Sequence, residues 1–175
     1  MANLIRHKLR YAKRVEQYNS ALAPSLGCAP TTVCSEPLDT NYWFCGFTFG
    51  DGSFQIKLSH RNKTKALRAQ VSLQFSLSQD ALPIVMLIKN NFGGSIGYRK
   101  PNTVYYGSGS VANASKIITY FESYSMVFRQ RRLLELFKRA YDIISTKRHL
   151  SPSGMEDLLR LRKLASALRQ SKCKV

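Results

Sequence analysis

The chain has 175 residues, 44% of them hydrophobic and 11% aromatic, enough for a packed core and too apolar for a disordered polymer. Lysine and arginine number 27 against 10 acids, a formal net charge of +17, so a polyanion is the expected partner: nucleic acid first, an anionic membrane surface second. Four cysteines without a Cys-x-x-Cys spacing and three scattered histidines argue against a zinc site or a disulfide framework, and no apolar run reaches the roughly 18 residues of a membrane span.

Three stretches are expected: a basic extension and linker over 1–37, a compact domain over 38–170 and a short basic tail over 171–175. The first 14 residues hold five Lys/Arg, and Glu16 is the only acid before the Pro-rich linker. This composition fits an organelle transit peptide or an arm that contacts nucleic acid, and the sequence leaves both open. Asp39 or Thr40 is expected to cap a helix over 42–49. From Ser53 to Ser59, Phe54, Ile56 and Leu58 alternate with Gln55 and Lys57, the pattern of a half-buried strand. Ala66–Leu77 alternates again, with Leu67, Val71, Leu73, Phe75 and Leu77 inward and Arg68, Gln70, Ser72, Gln74 and Ser76 outward. The two strands enclose the basic loop HRNKTK and read as a hairpin.

LPIVMLIKNNF is a helix stopped by Gly93-Gly94. SIGYRK and VYYGSGS, joined through Pro-Asn, read as a second hairpin. A short helix is expected from Asn113 or Ser115 to Phe121, a longer basic one over 127–145, and a last one capped by Ser151 with Pro152 at its first position. The predicted class is α+β: helices on one face of an antiparallel sheet, with the other face polar and free of acids.

WFCGFTFGDGSF, Trp43 to Phe54, carries the chemistry. Gly46 and Gly50 lie four apart, on one helix face, where small residues admit a second helix. Asp51 then stands between glycines at the helix end. Two such helices side by side bring two Asp51 carboxylates together, a costly arrangement without a cation between them. Read alone, Gly-Asp-Gly also serves as a plain turn from helix to strand.

The stretch resembles the LAGLIDADG motif of homing endonucleases. Phe44–Thr48 falls on L-A-G-L-I, and Phe49, Gly50, Asp51 and Gly52 fall on D-A-D-G. The element order αββαββα followed by further helices is also similar to that family's. The resemblance covers about 38–170. It implies that Asp51, with Gly50 beside it, binds Mg²⁺ or another divalent cation, and that Gly46 and Gly50 form a helix-pair interface. It implies that Gln79 orients water and that Arg129 stands where a lysine is usual. Phe49 replaces the first motif acid.

Gln55, Lys57, Arg68, Gln70, Ser72 and Gln74 on the sheet suit base edges, and Arg61, Lys63 and Lys65 suit phosphates. Arg99 and Lys100 in the second hairpin are further candidates. The bland alternative for all of them is a solvated sheet face. With one motif per chain, the resemblance implies a homodimer acting on a near-palindromic DNA site by metal-assisted hydrolysis, and the family's usual setting implies a mitochondrion or chloroplast. The competing expectation is a relative with reduced catalysis and no cofactor. It would bind RNA as an intron maturase, or as a monomer within an organellar ribosome. A membrane-surface protein ranks last, because it leaves the polar sheet unexplained.

Overall fold

A computed structural model describes residues 38–61, 64–99 and 102–170. Its elements are α1 (Trp43–Asp51), β1 (Ser53–Arg61), β2 (Thr64–Ser78), α2 (Leu82–Phe92), β3 (Ser95–Arg99), β4 (Thr103–Gly107), α3 (Val111–Ser123), α4 (Phe128–Ser145) and α5 (Pro152–Gln170). The strands form one antiparallel sheet in the order β1-β2-β4-β3. This is the expected α+β class, with the helices along one face. No described helix is long and apolar enough to cross a membrane.

Alternation decides what the sheet buries. Phe54 and Ile56 of β1, Val71, Leu73 and Phe75 of β2, and Val104 and Tyr106 of β4 are all buried on the helix side. Phe44 enters this core from α1 with no exposure. Its ring lies 4.4 Å from Phe92, 5.2 Å from Tyr120, 5.8 Å from Phe121 and 6.0 Å from Phe75. One aromatic thus ties the motif helix to the sheet, α2 and α3. A Phe→Ala change at such a site costs about 3–5 kcal/mol.

Several helix starts differ from expectation. Neither Asp39 nor Thr40 caps α1: residues Leu38–Thr40 form a 3₁₀ turn, and the Asn41 side chain accepts from the Trp43 N–H at 2.9 Å. The turn is anchored instead by the Leu38 N–H donating to Asn91 of α2. Helix α3 starts before Asn113, because Ser110 caps it by accepting from the Asn113 N–H at 3.1 Å. At α5 the expected Ser151 cap is present, accepting from Gly154 N–H at 3.2 Å. Helix α2 stops where expected, since Gly93 takes φ +75° and a side chain there would meet Asn113 as well.

Candidate metal and nucleic-acid site

Helix α1 has one buried side and one open side. Phe44, Cys45 and Thr48 are buried, whereas Trp43 is 43% and Phe49 47% exposed. A Cβ added at Gly46 or Gly50 meets nothing within 4 Å. The packing of the described residues therefore does not require glycine at either position. Gly52 is different: its Cβ would fall 2.5 Å from the Thr48 carbonyl oxygen. Its N–H donates to that same oxygen at 2.9 Å, which ends the helix and sends the chain straight into β1. The third motif glycine serves the turn. The first two leave a bare strip for something outside the described chain.

Asp51 is the last residue of α1 and is exposed. No hydrogen bond or ion pair engages its carboxylate among the described residues. The final carbonyls of a helix lack intrahelical donors and form its negative pole. Here the Thr48 oxygen is taken by Gly52 and the Phe49 oxygen by Gln130, while the Gly50 oxygen has no donor among the described residues. Oxygen donors at the negative end of a helix suit a hard divalent cation. The fit is incomplete within one chain, because no cluster of three or more His, Cys, Asp or Glu occurs among the described residues. A second carboxylate brought to the open strip, with water and phosphate, would complete it.

Burial pushes the Cys45 thiol up from its ordinary pKa, so this neighbour stays protonated and apolar in character. Tyr120 braces the start of α1. Its hydroxyl accepts from the Cys45 N–H at 2.9 Å and donates to the Asn41 carbonyl at 2.7 Å. Burial raises its phenol to about 12.

Arg129 is exposed in the first turn of α4. Its neighbour Gln130 donates to the Phe49 carbonyl at 3.3 Å, which brings that turn to the Asp51 end of α1. Gln79 opens the 3₁₀ turn Gln79–Ala81 after β2, where the description reaches the backbone only. Two contributors escape sequence reasoning. Gln130 sits in the run FRQRR and reads as a surface residue, yet it is buried. Arg169 of α5 donates to the Phe54 carbonyl at 2.7 Å, three residues past Asp51. Burial, and then the nearby Arg162, lower the pKa of that guanidinium.

On the open face of the sheet, Ser53, Gln55, Lys57 and Ser59 of β1 pair with Gln74, Ser72, Gln70 and Arg68 of β2. Lys57 and Arg68 are exposed, and Gln55, Gln70 and Gln74 are half-buried. Gln55 donates to Ser53 at 2.6 Å. Ser72 lies on this side but is only 2% exposed, so it is not free for a ligand. The cause is the segment 107–110 after β4. Ser108 extends the pairing with Leu73, its N–H donating to the Leu73 carbonyl at 3.1 Å and its hydroxyl accepting from the Leu73 N–H at 2.9 Å. Gly109 then draws in Gln70, whose amide donates to its carbonyl. Arg61 and Lys65 stand in the first hairpin and Arg99 in β3, again with backbone alone described, and Lys63 and Lys100 lie outside the described residues.

A family pattern described as LAGLIDADG endonuclease matches residues 44–141. Over 119 residues the chain is 39% identical to an uncharacterized cox1 intron-2 37.2 kDa protein of Schizosaccharomyces pombe, covering 67% of this chain and 36% of that one. Over 132 residues it is 31% identical to a probable intron-encoded endonuclease 3 of Neurospora crassa, covering 71% and 24%. The chain thus spans little more than a third of the length of these relatives at most. Among solved structures, the LAGLIDADG meganuclease I-CpaMI bound to uncleaved DNA is similar with a TM-score of 0.63 at 27% identity, over 69% of this chain and 42% of that chain.

Proposed function

The chain belongs to the LAGLIDADG endonuclease family, and from that premise we propose that it is a site-specific DNA endonuclease of the intron-homing kind, acting as a homodimer. The observation that carries the reading is the pairing of a bare glycine strip with an unengaged carboxylate at its end. A second copy of α1 laid on Gly46 and Gly50 brings a second Asp51 to the first. The intron-encoded relatives and the DNA-bound neighbour support the same reading.

Asp51 from each copy and the Gly50 carbonyl would hold Mg²⁺ or a similar divalent ion. Such an ion supplies Lewis-acid polarisation of a phosphate and a more acidic bound water. Gln79 would help to orient the attacking water. Arg129 places positive charge near the pentacoordinate phosphate, without the titratable proton of a lysine. Lys57, Arg68, Gln55 and Gln74 have the chemistry to read base edges, and Arg61, Lys63, Lys65, Arg99 and Lys100 the charge to meet phosphates. The basic composition of residues 1–37 suits added phosphate contacts or a targeting role. The cox1 intron named for one relative favours a mitochondrial location.

A second reading is an RNA-binding relative, an intron maturase or a ribosomal component. The loss of Ser72 and the tethering of Gln70 favour it, because they shrink the surface left to read bases. Asp51→Asn separates the two readings. It keeps the side-chain size and removes the charge, so duplex binding persists within about twofold while cleavage falls by at least about a hundredfold. Cleavage equal to wild type would refute the assignment of Asp51.

A further inference from the structure

The connection from α3 to α4 lies along one face of the motif helix and touches it at three heights. Tyr124 packs edge-on against Tyr42, ring centroids 4.8 Å apart. The Ser125 carbonyl accepts from the Cys45 thiol at 3.8 Å. Gln130 reaches the Phe49 carbonyl at 3.3 Å. Positions 42, 45 and 49 are spaced three and four apart, so one helix face receives all three. The first two contacts hold the beginning of α1, where Tyr120 adds its own pair of hydrogen bonds. Only the third, among the described residues, reaches the end that carries Asp51.

That third contact has the marks of a built feature. Gln130 is 7% exposed on a helix whose neighbouring positions are arginines. The chain enters α4 through Phe128, a bulky residue at φ +51° whose side chain is 82% exposed. A left-handed, exposed phenylalanine is costly. Beyond it, Gln130 turns inward. The Phe49 carbonyl belongs to the last turn and has no intrahelical donor. Without Gln130 it would be left without one, and the turn bearing Gly50 and Asp51 would loosen. The Gln130 oxygen and the buried Thr48 hydroxyl have no hydrogen-bond partner among the described residues, and the Gln130 amide is the side-chain donor that reaches this helix end.

We propose that Gln130 is a positioning residue that fixes the carbonyl end of α1 and thereby sets where Gly50 and Asp51 present their oxygens. The metal part rests on the reading of Asp51 given above, whereas the helix-end part does not. The side chain acts through the Phe49 carbonyl and touches no reacting atom.

The test is NMR on the full chain, comparing wild type with Gln130→Met, which keeps length and volume but has no donor. Hydrogen exchange at the Gly52 amide is expected to be about five- to tenfold faster in the variant, with the amides of the first turn unchanged. The Mn²⁺ concentration that half-broadens the Asp51 amide is expected to rise several-fold. Gln130→His, which restores an N–H donor at similar reach, is expected to return exchange toward wild type, and it serves if the Met variant does not fold. Equal exchange at Gly52 in wild type and Gln130→Met would overturn the inference. Faster exchange with an unchanged Mn²⁺ midpoint would overturn the positioning role. Absence of broadening in the wild type would contradict the metal reading instead, and exchange at Gly52 would then decide the role of Gln130 alone.

Discussion

Tyr120 shows how much one side chain does for the motif helix. Its hydroxyl serves two backbone groups, the Cys45 N–H and the Asn41 carbonyl, neither of which has a partner within α1. Tyr120→Phe keeps the ring stack and removes both bonds, so it is expected to cost about 1–3 kcal/mol in a urea titration at pH 7. The same residue sets a pH dependence. Burial raises the phenol in the folded state to about 12, above its unfolded value of about 10. A raised folded pKa means that the stability is complete below pH 10 and is lost as pH rises toward 12. The loss is up to about 2 kcal/mol, and Tyr106, raised in the same direction by burial, adds to it. Unfolding titrations between pH 9 and 12 should show a shallower fall for Tyr120→Phe than for wild type. Identical slopes would mean that the Tyr120 hydroxyl is not held as described.

At the scale of elements, the alternation in β1 and β2 was legible because Phe54, Ile56, Val71, Leu73 and Phe75 meet the same core, with Leu58 and Leu77 half-buried toward the strand ends. Helix ends were less so. Asp39, Thr40, Asn113 and Ser115 all have capping chemistry, yet α1 has Tyr42 at its N-cap position without a side-chain cap and α3 takes Ser110 instead. The burial of Ser72 was not legible, because its cover comes from 107–110, brought there by pairing of β2 with β4. Gln130 was hidden for the same reason: its partner Phe49 is 81 residues away. The place of Asp51 between glycines at the helix end was legible because it is set within a single turn. Ser108 tests the loop. Ser108→Ala leaves the Leu73 N–H buried without an acceptor, so a loss of about 1–3 kcal/mol is expected by chemical denaturation. A loss below about 0.3 kcal/mol would show that water reaches this bond.

For the whole molecule, charge and open surface point the same way. A net charge of +17 gives any nucleic-acid complex a steep salt dependence, whatever its sequence preference. In the proposed homodimer, the open strip on α1 makes assembly depend on glycine. At Gly46 an added Cβ meets no described residue outside its own helix backbone within 4 Å, so Gly46→Leu is expected to leave the fold unaffected or stabilise it by up to about 1 kcal/mol. The same side chain would stand between two paired helices, and sedimentation is expected to show self-association weakened at least about tenfold. A variant that associates as well as wild type would place the partner surface elsewhere.

The most direct measurement is cleavage of a randomised duplex library in Mg²⁺ by wild type and by Asp51→Asn, with both broken strands sequenced. The account predicts that wild type cuts both strands at sites related by a near-twofold axis, that EDTA abolishes the cuts, and that Asp51→Asn binds the same sites without breaking them. Binding of duplex with no cleavage above the Asp51→Asn background would contradict it and leave a nucleic-acid-binding protein that does not use its carboxylate.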